Sequence, residues 1–203
     1  MSRIRRLLGA FLTIALVSAD TYALDVTHNG SSILLSGEIM SGDLEQVEAA
    51  LNRKLAPIHL DSNGGQVLEA IKIGELIRSK SLETRLPYNS SCASACVLLL
   101  AAGVIRTADE TAGIGIHMSS GVFNEELISK LEELISSDGV AVVPLIVSIF
   151  EKQAGLVTLK QVDYLMRMGV SLSLLKRATL VHHLDIEWLT LDDALKYNII
   201  NYN

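Results

Sequence analysis

Ile58-His-Leu-Asp-Ser-Asn-Gly-Gly65, followed across Gln66 by Val67-Leu-Glu-Ala-Ile-Lys-Ile-Gly-Glu-Leu-Ile-Arg-Ser79, is the stretch that decides the fold. Ile58 to Leu60 is a short apolar strand that runs into a Gly64-Gly65 turn. The next thirteen residues carry Ile71, Ile73, Leu76 and Ile77 inside a helix. Upstream, Asp43 caps a helix with Leu44, Val47, Leu51 and Leu55 at helical spacing, which Pro57 ends one step before the strand. Further upstream still, 24–27 and 32–37 read as two strands joined by a turn at His28-Asn29-Gly30. Downstream come a strand at 82–86, a polar loop at 87–91, and a helix at 92–103 so apolar that it is expected to be buried on nearly all sides. Strands at 104–107 and 113–117 follow. Alternating strands and helices with short links predict an α/β domain with a mostly parallel sheet, since parallel neighbours need crossovers of helical length.

From Phe123 on the pattern turns helical, with helices predicted at 124–136, from 140 to about 154, and at 159–168, punctuated by Gly139, Gly155 and Gly169. Pro144 fits the first turn of its helix, where a missing N–H costs nothing, so that helix starts near Val142 or Val143. Thr190-Leu-Asp-Asp193 reads as a capping box for a short helix to Tyr197, with Ile199-Ile200 as a closing strand.

The first residues, Met-Ser-Arg-Ile-Arg-Arg, precede an apolar run from Leu7 to Val17 and a small-residue stretch ending at Ala23. This is the three-part pattern of a signal peptide, 1–23, with cleavage after Ala23. An uncleaved anchor is the alternative, disfavoured because eleven apolar positions fall short of the roughly 20 that a spanning helix needs. The expected mature domain is 24–203, exported, and periplasmic if the source is Gram-negative. No later run reads as long enough to span a membrane. Without 1–23 the chain has 14 basic against 22 acidic side chains, a balance of −8. An acidic surface with no basic-aromatic stripe excludes nucleic acid as an expected partner.

Several residues are candidates for chemistry. Ligand sites favour the carboxyl ends of strands in such sheets, where Gly64-Gly65 falls, although a tight turn is the plain alternative. Ser94 falls in the first turn of the apolar helix, where free N–H groups and the helix dipole favour negative charge. The plain alternative is a serine bonding its own backbone. His117 ends the strand Gly113-Ile-Gly-Ile-His117, and is either structural or the base that a serine hydroxyl needs at neutral pH. Cys92 and Cys96 are the only cysteines and flank Ser94. On a helix their Cα atoms would lie about 6 Å apart by rise alone, within disulfide range. A bridge suits an oxidising compartment, and two buried thiols are the alternative. Two cysteines without a nearby histidine pair give too few ligands for a metal, and the adjacent His182 and His183 make a poor chelate.

Ile33-Leu-Leu-Ser-Gly37, Leu60-Asp-Ser-Asn-Gly-Gly65 with its helix, Cys92-Ala-Ser-Ala-Cys96 and Gly115-Ile-His117 together resemble the Clp protease proteolytic subunit, and more closely its exported bacterial relatives. Thr190-Leu-Asp-Asp-Ala194 and Tyr197-Asn-Ile-Ile200 are similar to that family's closing segment. The resemblance implies a Clp/crotonase-like spiral fold whose helical excursion supports contacts within a homo-oligomer. It also implies Ser94 as nucleophile, His117 as base, and Gly65 and Ala95 N–H groups as the oxyanion hole, with no cofactor and no metal. The expected substrate is a small peptide or an unfolded protein segment. Esterase or thioesterase chemistry at the same serine, and a silent assembly module, are the rival readings. This chain departs from the family at Asn63, where a proline is usual, and at Met118-Ser119, where Gln-Pro is common. The family's aspartate, two residues before the aromatic Trp188, is Ile186 here. Asp185, one residue off, is therefore the named candidate orienter of His117. A dyad without a carboxylate, a backbone carbonyl, His182 and His183 are the other candidates.

Overall fold

The computed structural model describes residues 24–119 and 125–202. Residues 1–23, expected to be a signal peptide, lie outside the described residues, as do Phe123 and Asn124.

A hairpin opens the domain. Strand β1 (Asp25–Asn29) pairs antiparallel with β2 (Ser32–Ile39), whose Ile33, Leu35 and Ile39 are fully buried. Helix α1 (Asp43–Arg53) then crosses over to β3 (Ile58–Gly65), which lies parallel to β2. β3 is longer than its apolar start predicts. Alternation continues through buried Ser62 and Gly64, and the backbone stays paired to β2 as far as Ile39 opposite Gly65. Helix α2 (Val67–Ser79) buries Ile71, Ile73 and Ile77 and leads to β4 (Thr84–Leu86).

At β3 the sheet branches, and this branching positions the site. The first half of β3 pairs with β4, Ile58 opposite Thr84, while Ser62 in its second half pairs with Cys92 of β5 (Ser91–Ala93). β4 continues to β6 (Arg106–Ala108), and β5 to β7 (Gly113–Ile116). Antiparallel β8 (Glu187–Leu189), for which the sequence carries no clear strand pattern, closes the second branch against β7. Among the described residues the sheet has eight strands, parallel except at its two outer pairs.

The apolar segment expected as a helix from Cys92 divides in two. Ser91–Ala93 is strand, and α3 (Cys96–Ala102) is the helix, every residue of it buried. A uniformly apolar run has no periodicity to separate the two states, and pairing with both β3 and β7 decides for the strand.

In the second half, α4 (Glu125–Asp138) leads through a 3-10 turn (Gly139–Val142) into α5 (Val143–Arg167), with Pro144 in its first turn as expected. The two helices expected either side of Gly155 are one. A Cβ at Gly155 would meet nothing within 4 Å, and a solvent-facing glycine weakens a helix by about 1 kcal/mol without ending it. Apolar side chains along this arm lie open, Val140 at 79% and Leu145 at 60% exposure. By length and composition, 128–167 is a helical stretch apolar enough to cross a membrane, contrary to the expectation of no such run. Its uncharged part, 139–150, covers only about 18 Å of helix against a hydrocarbon core of about 30 Å.

Two buried groups hold the end of the arm. The Tyr164 hydroxyl donates to the Leu98 carbonyl at 2.8 Å. Arg106 Nη1 donates to the carbonyls of Ala101, Gly103 and Met168, which end α3 and α5. Burial pushes the Arg106 pKa down to about 10, so it stays a cation at neutral pH, where helix C-termini favour one. A short α6 (Ser173–Ala178) is a further addition to the elements expected from the sequence. In α7 (Leu191–Lys196), Thr190 Oγ accepts from the Asp193 N–H at 3.1 Å, the N-cap half of the expected capping box, while the Asp193 carboxylate pairs with Arg177. Ile199 and Ile200 are fully buried but form no strand. The chain leaves them through Asn201, whose N–H donates to the Arg106 carbonyl.

Candidate active site

Ser94 occupies the single residue between the end of β5 and Ala95, the N-cap of α3. Its φ is +56°, a left-handed conformation that costs a non-glycine residue on the order of 1 kcal/mol and recurs where a side chain must be presented from a sharp turn. The Ser94 N–H donates to the Gly115 carbonyl at 2.9 Å, tying the turn to the strand that leads into His117. Behind it sits Gly64, with φ +99°. A Cβ there would come within 2.7 Å of Ser94 Cβ and 2.8 Å of Ala95 N. Only glycine permits that approach. Gly65 is pressed as closely on the backbone of Ile39 in β2. Ser62 Oγ fixes the turn from within, donating to the Gly37 carbonyl and accepting from the Gly64 N–H. Gly64, near the end of β3, therefore lies directly against Ser94-Ala95, and at the start of α3 the Val97 and Leu98 N–H groups turn back to the Ser94 and Ala95 carbonyls.

Ser94 and His117, 23 residues apart, line one cleft of about 470 Å³ including its open mouth. Both are half-buried. The rest of the lining is largely apolar, from Val67 and Val97 to Leu165, Leu174, Leu175 and Ala178, with Ser119 and Gln161 as its other polar members. The α6 wall is braced by Arg177, whose guanidinium reaches Glu187 of β8 at 2.6 Å and Asp193 of α7 at 2.9 Å.

His117 Nδ1 lies 2.8 Å from the Met118 carbonyl. A carbonyl only accepts, so Nδ1 carries a proton, and in the neutral ring it is then Nε2 that holds the lone pair, the form a general base needs. Met118 is itself anchored, its N–H donating to the Val181 carbonyl at 3.0 Å. Asp185 is not brought to this site. It lies exposed in the turn after His182, to whose carbonyl its N–H donates, and among the described residues nothing joins its carboxylate to His117. In this structure the partner that meets His117 Nδ1 is the Met118 carbonyl and not the expected Asp185. The turn 182–185 ends before β8 begins pairing with β7, which puts the carboxylate off the sheet. Ile186 is the nearer neighbour of β7, its Cγ2 lying 2.7 Å from where a Cβ on Gly115 would stand. His182 and His183 face each other with centroids 4.3 Å apart, both exposed.

Cys92 and Cys96 are joined, with their Cα atoms 5.2 Å apart. The bridge is not the intrahelical one that the spacing suggests. It runs from strand β5 into the first turn of α3 and brackets Ser94. Closing so short a loop limits the unfolded chain by about 2 kcal/mol. Cys92→Ala/Cys96→Ala is expected to lose about that much stability in urea, and a loss within error would show the turn holds without it.

No family model matches this chain, and no curated protein does. Among solved structures, a point mutant of ClpP1 from Listeria monocytogenes aligns over 84% of this chain and 89% of that one, with a TM-score of 0.61 at 18% sequence identity. The fold is ClpP-like. Branched sheet, crossover helices and the long helix of the second half all belong to that ClpP-like architecture. At this identity the match carries the fold alone, so the chemistry rests on the residues in the cleft.

Proposed function

We propose that this chain is a serine peptidase that hydrolyses peptide bonds through an acyl-enzyme on Ser94. One observation carries the reading: a serine held in a left-handed strand-to-helix turn shares a cleft with a histidine whose Nδ1–H is already committed to a carbonyl. In the proposed reaction His117 Nε2 takes the Ser94 Oγ proton as Oγ attacks the scissile carbonyl. The Gly65 and Ala95 N–H groups receive the developing oxyanion, an interaction worth about 3 kcal/mol per donor. His117 then gives its proton to the leaving amine, and water reverses the sequence on the acyl-enzyme.

The N-terminal pattern and the joined cysteines support an exported, periplasmic protein in a Gram-negative source. The uncovered apolar arm, Leu145 and Leu159 among its open side chains, supports a homo-oligomer. Export would separate the protein from cytoplasmic unfolding ATPases, so small peptides and unfolded segments are the substrates.

The test is fluorophosphonate labelling of the chain from Leu24 on, its assembly state first measured by sedimentation. Stoichiometric labelling that vanishes in Ser94→Ala is expected. A folded, unlabelled protein would instead favour a silent assembly module.

A further inference from the structure

Gln161 is out of character for the cleft it lines. It sits on α5 at 8% exposure, beside Leu165 and within an otherwise apolar wall. Its Oε1 accepts from Ser119 Oγ at 3.1 Å, two residues beyond His117. That bond uses the acceptor end of the amide. Its Nε2 donors have no protein partner among the described residues, and the cleft is where they are open to one.

We propose that Gln161 sets the substrate preference of this cleft, selecting on the acyl side of the scissile bond a neutral side chain that ends in a carbonyl acceptor, glutamine ahead of leucine. The inference rests on the serine-peptidase reading of the same site. A leucine entering the cleft displaces water from Nε2 and leaves it unpaired, whereas a glutamine of similar length supplies the acceptor. A lysine or a glutamate is rejected for a different reason. Among the described residues no lysine, arginine, aspartate or glutamate lines the cleft to pair with either, and its walls are mostly hydrocarbon. Ser119 is the positioning residue, since its hydroxyl holds the amide with the donors turned away from itself.

The experiment compares kcat/KM on fluorogenic peptides that differ only in glutamine, leucine, glutamate or lysine before the scissile bond. In the native protein glutamine is expected to lead leucine by about ten-fold, and the charged pair to trail both. Gln161→Met keeps the shape and removes the donors, so the lead should vanish or invert, carried by KM. Ser119→Ala, a milder change, should reduce it partway. A native protein that prefers leucine, or a glutamine lead that survives Gln161→Met, overturns the proposal while leaving the peptidase reading intact. A second arm does not need turnover: fluorescence polarisation of labelled peptides ending in glutamine or leucine, bound to Ser94→Ala protein with and without Gln161→Met. If nothing is hydrolysed or labelled but glutamine binding depends on Gln161, the peptidase reading fails and the selectivity stands. Equal binding of both peptides overturns the selectivity.

Discussion

Ser94→Ala and His117→Ala are each expected to cut kcat/KM at least about 10³-fold on any peptide the native chain cleaves, and the double variant to fall little further than either one. In the proposed reaction the two side chains act as a unit: without a base the hydroxyl is a poor nucleophile, and without the hydroxyl the base has no proton to move. The companion prediction separates this site from a triad built on a carboxylate. Asp185→Asn is expected to leave kcat/KM within about two-fold, because the Met118 carbonyl at 2.8 Å already fixes which imidazole nitrogen carries the proton. Steady-state kinetics on the native protein and these variants, each checked for a native far-UV spectrum, decides the matter. A ten-fold loss in Asp185→Asn would show that the turn 182–185 moves onto His117 during turnover.

Tyr164→Ala is expected to destabilise the domain by about 4 kcal/mol, the range for removing a large side chain from a packed interior. Among the described residues Tyr164 is the largest of the fully buried side chains, its hydroxyl donates to the Leu98 carbonyl, and its ring seats the end of α5 on α2 and α3. Burial pushes the phenol pKa up, so it remains a donor at any ordinary pH. Its hydroxyl lies directly over Gly74, where an added Cβ would collide with it and reach 2.9 Å from the ring carbon that bears it. Gly74→Ala alone should therefore cost about 2 kcal/mol through overpacking. Tyr164→Phe removes the first atom in the way, so Gly74→Ala/Tyr164→Phe should cost less than the two single changes added together. Urea unfolding of the native protein, the two single variants and the double variant measures this coupling. Strict additivity would mean that the helices shift apart instead of the side chains competing for one space.

Ser94, His117 and the two glycines are legible in the amino-acid sequence through the resemblance of the stretches 60–65, 92–96 and 115–117 to the Clp protease family, since each of them taken alone has a plain structural use. Gln161 is not. A lone glutamine in a helical stretch between Lys160 and Val162 carries no local signal, and only the packing of α5 beside Ser119 turns it toward the cleft. The place of Asp185 is hidden for the converse reason: nearness in sequence to the family's aspartate position says nothing about which side of a turn a carboxylate leaves from. The fused α5 and the split at Ser94 escape the sequence alike. Gly155 breaks a helix only weakly, and the Cys92–Gly103 run is apolar nearly throughout, so local preference is close to balanced in both.

By itself the amino-acid sequence determined the alternation of strands and crossover helices, the cap at Thr190, the entry of α5 at Pro144 and which serine and histidine are the candidates for nucleophile and base. The first three follow from residue types within a few positions of one another, whereas the serine and the histidine stand out through the resemblance that several separate stretches carry together. Only the tertiary structure decided that β3 branches, that Ser94 turns left-handed between strand and helix, and that a backbone carbonyl holds His117. Those choices are made by pairing across the sheet, where Cys92 meets Ser62 and Ile114, and the free energy of such contacts between distant residues is written nowhere in the local sequence.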